Sequence, residues 1–407
     1  MTRRIIAIIF IFFCATVAWA ILGATIFART SSTDERLGSR VASNWGTPQE
    51  QMAPTASYQR AVVRKSAAAA SNTTAAAATP EFETVPLPLM QSRVGVTLKL
   101  EHRQKGLLWY ATYTVGFQGT YVFQNDSAQD VVSILFPFPA RQAVYDDLVV
   151  TIDGVPVKPV SGPSGLVTMV RVKPGAQTTL GVRYRSQGLS SWRYTFGDNV
   201  SQVRDTELRV KTDFTDIDFA ENTLSPTAKH RTPSGWDLEW RYTNMISGYP
   251  IGIVLPEHIQ PGPLAGRIAF FAPVSLFFFF FLMFVITTIR NIELHPMNYV
   301  FLAAGFFAFH LLLAYLVDHI DVHLAFVIAS LVSVALVVSY LRLVVNARFA
   351  MREAALAQFL FLVLFSYAFF FEGFTGLTIT IGSVITLFVV MQMTGRVRWA
   401  EKFATKP

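Results

Sequence analysis

IAFFAPVSLFFFFFLMFVITTI, residues 268 to 289, runs without a charged side chain from Ile268 to Ile289. At about 1.5 Å per residue, a helix of that length crosses the roughly 30 Å hydrocarbon core of a bilayer. Four similar runs follow toward the C-terminus: Val300 to Val317, Leu324 to Leu341, Ala355 to Phe371 and Leu377 to Met393. The link from Asp318 to His323 is short enough to demand antiparallel helical hairpins. Toward the N-terminus, Arg3 and Arg4 precede an uncharged run from Ile5 to Ala28. Ala18-Trp19-Ala20 offers a signal-peptidase pattern, but the apolar run continues past it through Ile21, Leu22 and Ile26, longer than a usual signal core. The first run therefore reads as a retained anchor. The expected fold is a membrane α-helical protein with six spans, one N-terminal plus a five-helix bundle, and a large insertion between the first two.

Orientation follows from Lys and Arg, which are held on the cytoplasmic side of spanning helices. Arg3, Arg4, Arg290, Arg342, Arg348, Arg352, Arg396, Arg398, Lys402 and Lys406 fall on one side of a six-span plan, while the links around Asp318 and Glu372 contain neither residue type. Both termini are then expected in the cytoplasm, with the insertion outside. Tyr299, Tyr340 and Trp399 at the inner edge and Tyr315 at the outer edge fit interfacial anchoring.

The composition agrees: 52% hydrophobic, 15% charged, formal net charge +7. The basic residues flank apolar segments instead of forming a stripe interleaved with stacking aromatics, so nucleic acid is not expected as a partner. The sole cysteine, Cys14, excludes a disulfide framework and a cysteine-based metal site, and Phe12-Phe13 before it does not suit lipidation.

Five segments are expected: residues 1–28 as the anchor, 29–91 as a flexible stalk rich in Ala, Ser and Thr, 92–260 as an all-β, sandwich-like extracytoplasmic domain, 265–395 as the bundle and 396–407 as a basic tail. The β assignment rests on period two. Trp236, Leu238, Trp240 and Tyr242 alternate with Asp237, Glu239 and Arg241, giving one aromatic and one charged face. Asp153-Gly154 between β-branched residues signals a hairpin turn. Other candidate strands are Val94–Leu100, Leu108–Val115, Thr120–Phe123, Val131–Phe136, Leu166–Val172, Thr178–Tyr184, Trp192–Phe196 and Leu208–Lys211. Together they suggest an antiparallel sandwich of one or two units.

The usual catalytic spacings, HExxH, GxSxG, GxGxxG and the phosphate loop, are absent from the sequence. No catalytic residue, cofactor or metal is expected, and the chain reads as a non-enzyme. Asp213, Asp216, Asp218 and Glu221 read as the water-facing side of a strand with Ile217 and Phe219 inward, not as a calcium loop. His310 lies within an apolar span, where ionisable groups are costly. It is expected either in an interhelical hydrogen bond or in a proton or substrate role. Asp318, His319, Asp321 and His323, with Glu372 at the next outer link, are candidate polar groups at the membrane interface. Sequons stand at Asn72, Asn125 and Asn199.

Leu294-His295-Pro296 with Tyr299, Leu311 to Leu313, Asp318-His319-Ile320, Leu324-Ala325 and the ending Arg396-Val397-Arg398-Trp399 resemble the CreD family of inner-membrane proteins. Asp318 stands where the family typically has Glu. The resemblance covers the membrane half. Within the outer segment, Phe123 with Asn125, Phe136-Pro137-Phe138-Pro139 and Ile152-Asp153-Gly154 look like adhesion or vault-type β modules. What CreD resemblance implies is a bacterial inner-membrane protein with a role in cell-envelope integrity or stress response and no transferable catalytic residue. Expected partners are the lipid bilayer and an envelope protein, glycan or lipid bound by a periplasmic domain. The rival expectations are a proton- or solute-coupled transporter and a membrane enzyme acting on lipid-linked substrates.

Overall fold

The computed structural model describes residues 2–62, 81–105, 108–197, 201–371 and 373–395. Among them, six helices are long and apolar enough to cross a membrane. They are α1 (Thr2–Trp45), α2 (Pro261–Ile289), α3 (Pro296–Leu316), α4 (Val322–Val344), α5 (Ala347–Phe370) and α6 (Thr375–Thr394). The chain divides into two compact units: Met1–Leu37, Gly106–Leu108 and Ile259–Pro407 form one, and Gly38–Lys105 and Trp109–His258 form the other.

In the helical unit the spans pack through aromatic and small residues. Phe279 meets Phe306 with ring centroids 4.5 Å apart, and Phe280 meets Tyr299 edge-on at 5.2 Å. A Cβ on Gly305 would lie 2.6 Å from Val337 Cγ2, so α3 and α4 touch where a small residue permits close approach. Tyr299, expected at the inner edge, is fully buried in this core. The helix α5 contains two π-helical stretches, Ala350–Ala354 and Phe359–Leu364. Val390 is the one buried residue described for α6, which leaves that helix nearly bare.

The other unit is β-rich, with sheets of three, five and eight strands. The largest runs in the order Ala228–Arg231, Trp236–Ser247, Ser201–Thr212, Leu89–Lys105, Leu108–Gln124, Gln177–Leu189, Asp146–Ile152, Val155–Val157. The five-stranded sheet is Glu81–Leu87, Thr55–Val62, Val131–Pro137, Gly165–Arg171, Val160–Gly162, and the three-stranded one is Gln49–Met52, Ser191–Thr195, Ile251–Val254. Buried residues from all three sheets form one core, including Trp240, Tyr121, Ile134 and Trp192. One core answers the question of one unit or two.

Several expectations meet the structure directly. Asp153 and Gly154 take φ of +50° and +81°, the turn that joins Asp146–Ile152 to Val155–Val157. Leu238 and Trp240 are buried while Arg209 grips Asp237 on the opposite face. The pairing is not wholly antiparallel, because Gln49–Met52 runs parallel to Ser191–Thr195 and Ser201–Thr212 runs parallel to Leu89–Lys105. Leu108–Val115 and Thr120–Phe123 are parts of one strand, Leu108–Gln124. The acidic run does not continue a strand: Ser201–Thr212 ends before it, Asp213 accepts from the Leu100 amide at 2.8 Å, and Asp218 makes one bridge to Val254.

Residues 29–91 are the main correction. The stretch read as a stalk continues α1 to Trp45 and then supplies strands Gln49–Met52, Thr55–Val62, Glu81–Leu87 and the start of Leu89–Lys105. Polar composition misled because buried glutamines are bonded here. Gln49 donates to Ser186 Oγ at 2.8 Å, and Gln51 accepts from the Tyr184 hydroxyl at 2.7 Å. Gly46 ends the helix at φ +130°, where a Cβ would sit 2.5 Å from the Gln187 carbonyl oxygen. The alanine run at 67–78, with its sequon at Asn72, lies outside the described residues, as do the tail at 396–407 and Asn199.

Candidate functional site

His310 sits fully buried in α3, and its Nδ1 lies 2.9 Å from the carbonyl oxygen of Phe306 one turn earlier. A carbonyl only accepts, so Nδ1 carries the proton and Nε2 presents a lone pair. The bond stays within the helix, so the interhelical bond that was one of the two expectations for this residue is not made among the described residues. Trp19 of α1 meets the ring edge-on at 5.5 Å and Phe309 does so at 4.8 Å. Neither His310 Nε2 nor the Trp19 indole N–H has a partner among the described residues.

A second polar thread was not singled out from the sequence. Gln358 of α5 donates to Ser333 Oγ of α4 at 2.8 Å, and Ser333 donates to the Gly305 carbonyl of α3 at 2.6 Å. Ser275 of α2 donates to the Phe361 carbonyl, which belongs to a π stretch. Widened π turns leave carbonyls available to such donors and often mark functional positions. The available signal was a lone Gln in an otherwise apolar span.

At the end of the bundle where α3 stops, Arg29 binds Asp318 at 2.9 Å and donates to the Ala314 carbonyl at 2.9 Å, with its guanidinium over the Tyr315 ring. Asp321 caps α4, accepting from the amides of His323 and Leu324. His323 stacks on Phe370 at 5.0 Å, and His319 is exposed. These four residues do not converge, and no group of three or more His, Cys, Asp or Glu among the described residues could hold a metal. Glu372 lies outside the described residues. The motif Leu294-His295-Pro296 is a helix start: Leu294 is buried, His295 Nδ1 accepts from the Met297 amide at 3.3 Å, and Pro296 takes the first helical position. Ile320 packs against the bundle core. At the opposite end, Arg290 pairs with Glu353 at 2.5 Å.

In the β unit, His102 and His258 stack with centroids 3.8 Å apart, Trp109 closes on His258 at 5.0 Å, and His102 Nε2 contacts the Pro256 carbonyl at 2.9 Å. Only the fold brings these distant positions together. Burial, and then the neighbouring His102, push the His258 imidazole below its ordinary value. The unfolded chain therefore takes up a proton first. Stability contributed by neutral His258 is full above the ordinary histidine range and is lost as pH falls from there through the depressed value. The expected result is a melting temperature that drops between about pH 7 and pH 5 and a smaller drop in His258→Phe; equal slopes in the two proteins would sink the assignment. Asn125 is buried and donates to the Gln129 and Val172 carbonyls, so its sequon is a structural turn.

Residues 239–400 match the family described as inner membrane protein CreD. That match covers the membrane half and all the motif residues quoted above through Trp399. No curated protein matches the chain. Among solved structures, the chain is similar to a crystal structure of a candidate nutrient binding protein from Legionella pneumophila, at 13% identity over 48% of this chain and 74% of that one, with a TM-score of 0.30. A likeness that shallow carries no argument.

Proposed function

We propose that the chain is a bacterial inner-membrane protein of the CreD type, non-enzymatic, with both termini in the cytoplasm and a periplasmic β unit that binds a component of the cell envelope. The observation that supports it best is the distribution of charge at the helix ends. Arg4, Arg290, Arg342, Arg348 and Arg352 gather at one end of the spans, whereas Arg29 at the other end is bonded to Asp318. The family match over residues 239–400 supports the same membrane assignment.

Two measurements check this. Alkaline phosphatase inserted in the turn at Asp153-Gly154 is expected to be active, and a fluorescent protein fused at the N-terminus is expected to glow; the reverse pattern inverts the topology. Deleting the gene is expected to sensitise cells to detergent and cell-wall antibiotics, restored by the full chain. Unchanged sensitivity would remove the envelope role.

A further inference from the structure

The solvent-facing side of the eight-stranded sheet carries a trough. Its floor is glycine at two adjacent central strands, Gly95 on Leu89–Lys105 and Gly116 on Leu108–Gln124. Glycine within a strand weakens it and often marks close approach of a ligand. Neither position needs glycine for its own fit. Neither takes a positive φ, and a Cβ would find its nearest atom at 4.0 Å, Gln118 O for Gly95 and Thr97 Cβ for Gly116. Gly181 of the same sheet differs, since a Cβ there would collide with Thr151 Oγ1. What the missing side chains at 95 and 116 do is keep the floor low.

Two rungs cross this floor. In one, Arg209 pairs with Gly95 and Arg183 pairs with Gln118. In the next, Lys211 pairs with Thr97 and Arg185 pairs with Gly116. Each rung thus has a cation at either end and, between them, a glycine beside a neutral hydrogen-bonding side chain. The cationic columns stand three strand spacings apart, about 14 Å. Asp237 holds Arg209 through bonds of 2.7 and 2.8 Å, Asp146 and Asp147 hold Arg185, and Glu207, one rung along the column from Arg209, is held by Arg93 and Arg241. Arg183 and Lys211 are exposed and carry no ion pair among the described residues. The depression is about 420 Å³ and adjoins a second of about 440 Å³ lined by Lys99, Thr114 and Gln187, with Thr97, Gly116 and Arg185 common to both.

We propose that this trough binds an acidic oligosaccharide, with Arg183 and Lys211 meeting its anionic groups and Thr97 and Gln118 its hydroxyls. Charge complementarity sets the sign of the ligand. The neutral side chains between the columns favour a sugar over a bare polyanion. The aromatic residues beneath the floor, Phe117 and Tyr184, are buried and face the core, so bases have nothing to stack on. The inference deepens the envelope-binding reading and rests on it only for where such a glycan is met.

The test uses the full chain in detergent micelles, labelled tetragalacturonate as probe, and neutral maltotetraose and tripolyphosphate as competitors. Tetragalacturonate is expected to bind in a salt-sensitive way, maltotetraose not to compete, and tripolyphosphate to compete at least tenfold more weakly than unlabelled tetragalacturonate. The double variant R183E/K211E is expected to weaken binding at least tenfold. Gly116→Val, at a position where a Cβ finds its nearest atom 4.0 Å away, is expected to keep the melting temperature and lose at least fivefold in affinity. Absence of binding, equal competition by either competitor, or undiminished binding by both variants overturns the proposal. The phosphatase insertion reads topology independently, so a failed trough and a misplaced domain give different results.

Discussion

Trp240→Ala is expected to cost the β unit about 3–5 kcal/mol, the range for removing a large aromatic from a packed core. Its ring is fully buried and its indole N–H donates to the Leu224 carbonyl at 2.8 Å, so truncation leaves both a cavity and an unpaired acceptor. The strand that bears it, Trp236–Ser247, pairs with Ser201–Thr212 along most of its length, with Leu208 opposite Trp240. Loss of the ring therefore loosens two strands at once. Thermal unfolding of the full chain in detergent, followed by β-sheet circular dichroism, should show a transition lowered by roughly 10 °C. A shift under 2 °C would mean the ring is not the core residue described.

Gly305→Leu should be the most damaging single change in the bundle. Val337 is β-branched and held near one rotamer in a helix, so it cannot withdraw from a side chain arriving at 2.6 Å. The helices α3 and α4 must separate, which breaks the Ser333 bond to the Gly305 carbonyl and leaves that hydroxyl proton without its acceptor in apolar surroundings. A loss of about 3 kcal/mol or more is expected from overpacking together with the lost bond. Thermal aggregation of the solubilised protein measures it, with Gly305→Ala as an intermediate. If the leucine variant aggregates at the parent's temperature, the close approach of α3 and α4 is wrong.

The six spans were legible because each is a long apolar run, and a bilayer allows no cheaper arrangement for such a run than a helix. The strand of Trp236 to Tyr242 and the turn at Asp153-Gly154 were legible because period and dihedral preference act locally. Residues 29–62 were not. Gln49 and Gln51 become core residues only when Ser186 and Tyr184, far along the chain, supply partners. The same reason hid the stacked pair His102 and His258 and the two rungs of the trough. Outward residues such as Lys211 and Arg183 read as an ordinary solvated face until the sheet order sets them on either side of Gly95 and Gly116. His310 was visible as a histidine in an apolar span, but only the fold shows which of its nitrogens is bonded. Asp318 was grouped with its sequence neighbours, whereas its partner is Arg29 on another helix.

The two π stretches of α5 bear on how that helix tolerates change in length. Each turn there closes on a bond from residue i to residue i−5, as Ala355 does to Ala350 and Phe365 to Leu360. One residue more than an α turn is thus accommodated at each place, and every side chain beyond it is rotated by about 100° relative to an unbroken α-helix. A hydrophobic stripe followed by counting alone slips twice along this span. By the same geometry, removing one residue inside a π stretch converts that turn to an α turn and returns the remainder of the helix to the phase an uninterrupted count would give, so the span shortens by a residue without being broken.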